Sequence, residues 1–328
     1  MSSLHGKICG WGMYVPERIV SNHDIAASIE TSDEWIRERT GIGARRVAGP
    51  GDNCSSMSVA AAEQALSKAR LSAGELELII VATSSPDYLT PPVSSQVQQL
   101  LGAEKAAAFT LVLGCTGFVC ALVTAQQFIA SGAYKSILIV GAELITRNIN
   151  WKDRNTCVLF GDGAGAVVMK ATSEQVGLMS FVLGSDGSGY DLLIQRSGGT
   201  AVPPSSESLA KGLNFLEMNG SEVFKFATRV LGRALEECLN KAAISSNEID
   251  LFIPHQANAR IIESAARHVG LPMEKVFLNV ERYGNTSAAS VPIALCEALD
   301  QGRAKEGDTI AMVAFGAGLS WGAAVVKL

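Results

Sequence analysis

This 328-residue chain lacks several features, and each absence excludes something. No apolar run is long enough to cross a bilayer, and the opening Met1-Ser2-Ser3-Leu4-His5-Gly6-Lys7 has no hydrophobic signal region. A soluble cytoplasmic protein without a membrane partner is therefore expected. No block of basic residues offsets the net charge of −5, so nothing favours nucleic-acid binding. The seven cysteines (Cys9, Cys54, Cys115, Cys120, Cys157, Cys238 and Cys296) are dispersed, with no Cys-x-x-Cys pair. That fits neither a zinc site nor a disulfide framework, and no metal is expected. Each cysteine is by default a small buried hydrophobe. Charged residues make up only 18%, against 48% hydrophobic, which suits an extensive core and argues against disorder.

What is present is α/β patterning, with buried strand-like runs alternating with amphipathic segments. Leu78-Ile79-Ile80-Val81-Ala82, Ala108-Phe109-Thr110-Leu111-Val112-Leu113 and Ser136-Ile137-Leu138-Ile139-Val140 read as strands. The spacing of Phe118, Ala121, Leu122, Ala125, Phe128 and Ile129 predicts a helix over 116–131, with Gly132 placed to end it. The second half repeats the plan. Ile249-Asp250-Leu251-Phe252-Ile253 is strand-like, a helix starts near 258, and Val276-Phe277-Leu278-Asn279-Val280 reads as a further strand. A helix over 287–301 and the strand Thr309-Ile310-Ala311-Met312-Val313-Ala314 follow, with Gly302 and Gly307 bracketing the turn between them.

Along the two halves Thr83 corresponds to His255 at an offset of 172 (255 − 83), and Cys115 to Asn285 at 170 (285 − 115). So long a period indicates two copies of one βα domain, 1–173 and 174–328, joined through the polar Thr172-Ser173-Glu174-Gln175. Equivalent loops of a duplicated fold meet at its pseudo-twofold axis, where Cys115, His255 and Asn285 could converge.

Four segments carry chemistry. In Leu113-Gly114-Cys115-Thr116-Gly117-Phe118 a strand ends, glycine permits a sharp turn, and the thiol opens an apolar helix. Unpaired helix N–H groups favour thiolate and can lower a cysteine pKa to roughly 3.5–7.5; the alternative is a packing cysteine at a strand–helix junction. In Ile253-Pro254-His255-Gln256-Ala257-Asn258, His255 sits at the carboxyl end of a strand, where open α/β sheets bind ligands. A lone histidine also reads as one satisfied by a carbonyl, but of the four histidines (His5, His23, His255 and His268) His255 alone follows a strand in this way. Asn285, in Tyr283-Gly284-Asn285-Thr286-Ser287, is either a helix cap or a donor to a developing oxyanion. Phe315-Gly316-Ala317-Gly318-Leu319-Ser320-Trp321-Gly322 joins two strands and exposes backbone N–H groups, as a plain hairpin turn also would. Gly161-Asp162-Gly163-Ala164-Gly165 lacks the Lys-Ser/Thr of a phosphate loop and reads as a tight turn before the next strand.

Taken together these strings resemble the β-ketoacyl-acyl carrier protein synthase III family of thiolase-fold enzymes. Thr31-Ser32-Asp33-Glu34-Trp35-Ile36, Arg39-Thr40-Gly41-Ile42, Phe160-Gly161-Asp162-Gly163-Ala164-Gly165 and Gly284-Asn285-Thr286-Ser287-Ala288-Ala289-Ser290 extend the resemblance over nearly the whole chain. It implies an α/β thiolase-like fold of duplicated domains in five α-β-α-β-α layers. It implies a Cys115–His255–Asn285 triad in which Cys115 accepts an acyl group from acyl-coenzyme A. Malonyl-acyl carrier protein then loses carbon dioxide, and its carbanion attacks the acyl-cysteine. The amides of Cys115 and Ala317 would form an oxyanion hole. Trp35 would stack on adenine with Arg154 on its other face, Arg39 would meet the phosphates, and Asn258 and Gly220 would line the pantetheine tunnel. Trp35 is otherwise an apolar anchor and Arg154 a solvated loop charge.

The resemblance further implies Thr90 and Phe160 at the acyl pocket, Lys225, Arg260 and Arg267 as a basic patch for the acidic carrier protein, and a homodimer. No cofactor is expected beyond the coenzyme A thioester as substrate. Where many members carry an aromatic, this chain has Thr90, so primers longer than acetyl are expected to fit. Ala317 stands where glycine is usual, though its amide survives. The rival readings are a secondary-metabolite relative that condenses or transfers a different acyl group, a thiolase, and a non-catalytic acyl-CoA-binding scaffold. Asn285 favours decarboxylative condensation, and the absence of cysteine from 316–322 disfavours a thiolase.

Overall fold

The computed structural model describes residues 4–328. Residues 1–3, part of the segment read for a signal region, lie outside the described residues. In chain order the first half comprises β1 (His5–Tyr14), β2 (Ile19–Ser21), α1 (Asn22–Ala26), α2 (Asp33–Thr40), β3 (Ala44–Arg46), α3 (Cys54–Ala69), β4 (Leu78–Ala82) and α4 (Val93–Leu101). It continues with β5 (Ala107–Leu111), α5 (Gly117–Ala130), β6 (Ser136–Glu143), α6 (Arg154–Cys157) and β7 (Gly163–Thr172). The second half runs β8 (Gly177–Ser185), β9 (Leu193–Gln195), α7 (Ser206–Ala210), β10 (Leu216–Met218), α8 (Gly220–Ala242), β11 (Leu251–Pro254) and α9 (Ala259–His268). It ends with α10 (Val280–Tyr283), α11 (Ser290–Asp300), β12 (Thr309–Gly316) and β13 (Ser320–Lys327).

One sheet has the order β1-β7-β6-β4-β5, the other β11-β12-β13-β8. Strands β6, β4 and β5 are parallel, as are β11 and β12, while the remaining ladders are antiparallel. Apolar residues of α5 and α11 (Phe118, Leu122, Ala294, Leu295) fill the space between the sheets. Helices α3 and α4 cover the outer face of the first sheet through Met57, Ala61, Val93 and Val97. Helices α8 and α9 cover the second through Leu231, Leu235, Ile261 and Ile262. The result is the five-layered α-β-α-β-α fold. Strands buried on both faces need continuous apolar runs, which is why β4 and β6 show no alternation.

The internal repeat is stricter than the sequence correspondence suggests. Strand β4 recurs as β11, the turn Gly114–Thr116 as Ser287–Ala289, α5 as α11, and β6 as β12, each starting 173 residues on (251 − 78 in the first case). The offsets of 172 and 170 are therefore corrected: His255 is equivalent to Ala82, and Cys115 to Ala288. Pairing residues by chemistry slid them past their structural partners.

Two further expectations are corrected. Residues 276–280 do not form a strand; only Val276 bridges, to Phe252. The buried Gln256 side chain takes over the ladder, its Oε1 accepting from the Asn279 and Val280 amides and its Nε2 donating to the Phe277 carbonyl. Nor is Gly163–Gly165 a turn, since both glycines lie inside β7. They are small because α11 crosses there: a Cβ on Gly165 would lie 2.6 Å from the Ile293 nitrogen. By contrast Gly132 ends α5 at φ +75°, as its position suggests.

Close approach also explains Gly12 on β1, where a Cβ would lie 2.3 Å from the Ala61 carbonyl oxygen of α3. Overpacking of this kind costs typically ~1–3 kcal/mol. Gly12→Ala is expected to lower the melting temperature in scanning calorimetry by a few degrees. An unchanged melting temperature would show that α3 can move aside freely.

Candidate active site

Segments of both halves surround one cavity of about 250 Å³. It is lined by Cys115, His255 and Asn285 together with Trp35, Arg39, Arg154, Gly220, Asn258 and Phe160. These nine positions come from segments up to 250 residues apart in sequence (285 − 35), and the fold brings them together.

Cys115 occupies the single 3-10 turn Gly114–Thr116 ahead of α5, and Gly114 adopts φ +52°, a region costly for any residue with a side chain. Its thiol donates to Ser287 Oγ at 3.4 Å, across the contact between the two repeat-related turns. Burial pushes the thiol up to about 12, against the smaller opposing pull of the Ser287 hydrogen bond. The expected lowering by the helix start does not occur. Cys115 precedes the helix by two residues and lies out of water, and desolvation of a thiolate outweighs a dipole that fades within one turn.

His255 follows β11, and its amide donates to the Val313 carbonyl of β12 at 2.7 Å, which fixes the backbone. Its imidazole is buried edge-on against Phe315, with ring centroids 5.4 Å apart. Neither ring nitrogen has a hydrogen-bond partner among the described residues. Buried polar atoms are nearly always satisfied in folded proteins, so two free nitrogens facing a cavity indicate a ligand site. Burial pulls the ring pKa down to about 3, so the imidazole is neutral across the physiological range.

Asn285 is held through its main chain: its amide donates to Leu159 at 2.8 Å, and its carbonyl accepts from Gly161 at 3.0 Å. Its Oδ1 accepts from the Ser287 amide at 2.8 Å. The carboxamide oxygen is thereby used within the protein, and the NH₂ is the end able to donate to a bound oxygen. Gly316, beside Ala317, has no room for a side chain, because a Cβ there would lie 2.7 Å from the Cys115 nitrogen. A Cβ on Gly114 would lie 3.2 Å from the Ala317 nitrogen. The amides of Cys115 and Ala317 are thus brought to one place, although Ala317 itself is outside the cavity lining.

At the mouth, Arg154 lies 4.7 Å from the Trp35 ring centroid and Arg39 5.7 Å. Arg154 covers the indole directly, so a planar ligand must part the two before stacking between them. Asn258 caps α9 through the Arg260 amide and donates to the Arg39 carbonyl at 2.9 Å, tying α9 to α2. Thr90 is exposed and does not line this cavity. Lys225, Arg260 and Arg267 are exposed on α8 and α9. Lys225 pairs with Glu222, and Arg260 lies over the Phe224 ring.

Sequence reading missed Glu143. This buried carboxyl closes β6 behind the thiol. Its Oε1 accepts from Ser287 Oγ at 3.0 Å and from the Ser84 amide at 3.1 Å, and its Oε2 accepts from Ser85 Oγ. Burial raises it to about 7 against the pull of these donors. The available signal was a carboxylate ending an otherwise apolar strand, which is expensive to bury without a task.

With this geometry established, the chain can be set beside known proteins. Residues 109–187 match the family model for 3-oxoacyl-[acyl-carrier-protein] synthase III, and 239–328 match the model for its C-terminal part. The chain is similar to the β-ketoacyl-[acyl-carrier-protein] synthase III of Roseiflexus sp. (strain RS-1), with 50% identity and 98% of each chain covered. The protein of the same name from Symbiobacterium thermophilum is 49% identical, covering 98% of this chain and 97% of the other. Among solved structures, the 3-oxoacyl-[acyl-carrier-protein] synthase III of Aquifex aeolicus VF5 superposes with a TM-score of 0.91 at 42% identity, covering 98% of this chain and 100% of that one.

Proposed function

Because this chain belongs to the β-ketoacyl-acyl carrier protein synthase III family, and so is an acyltransferase that starts fatty acid synthesis by condensation, we propose roles for its residues in that reaction. Cys115 attacks an acyl-coenzyme A, forming an acyl-cysteine as coenzyme A leaves. His255 and Asn285 then donate hydrogen bonds to the thioester oxygen of malonyl-acyl carrier protein. Negative charge builds on that oxygen as carbon dioxide departs. The carbanion attacks the acyl-cysteine and expels Cys115. The amides of Cys115 and Ala317 hold the acyl oxygen during both transfers.

The observation that carries this reading is the pair of unpartnered, buried imidazole nitrogens of His255 in the same cavity as Cys115. A neutral donor suits an enolate, which a charged imidazolium would protonate too early. Trp35 and Arg154 are assigned to the adenine, Arg39 to the phosphates, and Gly220 and Asn258 to the pantetheine arm. Phe160 forms the acyl end. No cofactor is needed in this reading. Lys225, Arg260 and Arg267 are assigned to the acidic carrier protein on charge complementarity.

A homodimer is supported by β5, an edge strand of its sheet. Beside it Leu89 and Val112 are 81% and 69% exposed, an arrangement that a second copy would cover. Thr90, next to Leu89, would then present a small side chain to the partner's acyl pocket and leave room for primers longer than acetyl.

Native mass spectrometry after incubation with a panel of acyl-CoAs tests these points together. The expected result is a species of twice the 34.5 kDa chain mass, gaining one acyl group per chain at Cys115, with the larger gains from longer primers. No adduct would remove the acyl-enzyme reading, and an exclusive preference for acetyl would remove the primer reading. In the described residues no helix is long and apolar enough to cross a membrane.

A further inference from the structure

The thiol, the Ser287 hydroxyl and the Glu143 carboxylate form a hydrogen-bonded line in which every donor points the same way. Cys115 Sγ donates to Ser287 Oγ at 3.4 Å, and Ser287 Oγ donates to Glu143 Oε1 at 3.0 Å. All three residues are buried. Ser287 is held in the left-handed region at φ +50°, a strained conformation for a non-glycine residue that aims its hydroxyl between the two. Beyond Glu143 the line continues to Ser85, which lines a second cavity of about 370 Å³.

From this line we infer that Glu143, acting through Ser287, is the positioning base that withdraws the Cys115 proton as the acyl group is transferred. The inference rests on the reading of Cys115 as acyl acceptor. In the acylation step the Cys115 S–H bond breaks and its proton passes to Ser287 Oγ, while the Ser287 proton passes to Glu143. The sulfur forms the new thioester bond, and the old bond to coenzyme A breaks. Coenzyme A leaves as thiolate and takes a proton from water, to which Glu143 returns its own. In condensation the expelled Cys115 thiolate regains a proton along the same line, and Glu143 is recharged from water. A hydroxyl both donates and accepts, so Ser287 can run the line in either direction.

The arrangement separates two tasks that His255 would otherwise have to combine. The thiol proton is directed at Ser287, while both imidazole nitrogens stay free for the malonyl thioester. The groups facing Glu143 do not compete for its proton. From the end of β4 and the loop after it come the Thr83 and Ser85 hydroxyls and the Ser84 amide. From α3 comes Cys54, whose thiol burial pushes upward and which stays neutral. Of the charged residues, Asp87 and Arg147 line the second cavity with Ser85.

The test is the pH dependence of single-turnover acylation of Cys115, followed by intact mass. Wild-type protein is expected to level off above about 7, where Glu143 becomes ionised. Glu143→Gln keeps the size of the side chain and one accepting oxygen for the Ser287 hydroxyl and Ser84 amide but cannot take a proton. It is expected to acylate roughly 10²-fold more slowly at pH 7, within the range for general-base catalysis, and to gain about tenfold per pH unit with no plateau. Ser287→Gly suits the local backbone, leaves the carboxylate in place and breaks the line, so it is expected to show the same profile even if the glutamine variant fails to fold. Glu143→Asp is expected to restore part of the plateau.

A merely structural role would slow all pH values alike, so a uniform loss in both variants overturns the relay, as does a wild-type profile in either. If wild-type protein takes up no acyl group at all, the acyl-enzyme reading falls first and the relay with it.

Discussion

Cys115→Ala is expected to take up no acyl group from any acyl-CoA and to lose condensation by roughly 10³–10⁶-fold, the scale seen when the nucleophile of an interdependent catalytic set is removed. No other cysteine lines the cavity. Cys54, Cys157, Cys238 and Cys296 are buried elsewhere. The substitution removes one sulfur atom and one weak hydrogen bond to Ser287, so the fold is expected to persist with a melting temperature within a few degrees of wild type. Intact mass after acyl-CoA incubation and a coupled condensation assay read the outcome. Because His255 and Asn285 are untouched, slow release of carbon dioxide from malonyl-acyl carrier protein is expected to continue. Acylation at another residue would transfer the nucleophile's role away from Cys115.

His255→Ala should divide the reaction differently. Condensation is expected to fall by about 10²–10³-fold, the cost of one oxyanion donor, while acylation of Cys115 falls less than tenfold. The division follows from the thiol facing Ser287 rather than the imidazole. Equal loss in both half-reactions would instead make His255 the base for Cys115. Stability offers an independent check. The folded pKa of about 3 lies below the ordinary 6.5. Above 6.5 the ring is neutral in both states and adds no pH dependence. As pH falls from 6.5 toward 3, only the unfolded chain takes up the proton, so the wild type loses stability over that window. The alanine variant lacks this loss, and its urea midpoint is expected to vary less between pH 6.5 and 4.

The convergence of Cys115, His255 and Asn285, the proposed triad, was legible in sequence because each sits in a contiguous string whose neighbours do local work: Gly114 turns the chain, Pro254 ends β11, and the Asn285 side chain holds the Ser287 amide. The relay was not legible, because Cys115, Ser287 and Glu143 meet only through contacts 172 and 144 residues apart. The pKa of Cys115 was misjudged for a related reason. A helix start can be read from a few residues, whereas its desolvation depends on the 287–289 turn and the β12–β13 loop packing over it. Gln256 shows the same limit in the fold. A glutamine that replaces a strand partner leaves no trace in 276–280, whose largely apolar run still reads as a strand.

Helices α5 and α11 occupy the middle layer, with a sheet on either side, and the turns bearing Cys115 and Ser287 lead directly into them. The chemistry is therefore anchored to the part of the protein least able to fluctuate by itself. Fraying at the periphery leaves the reacting groups in place, and loosening of either half disturbs both turns. Heat inactivation of the transfer step and loss of the folded state are bound to share one midpoint, and tuning of substrate choice is left to the mouth, where Trp35, Arg39 and Arg154 sit on shorter, outlying elements.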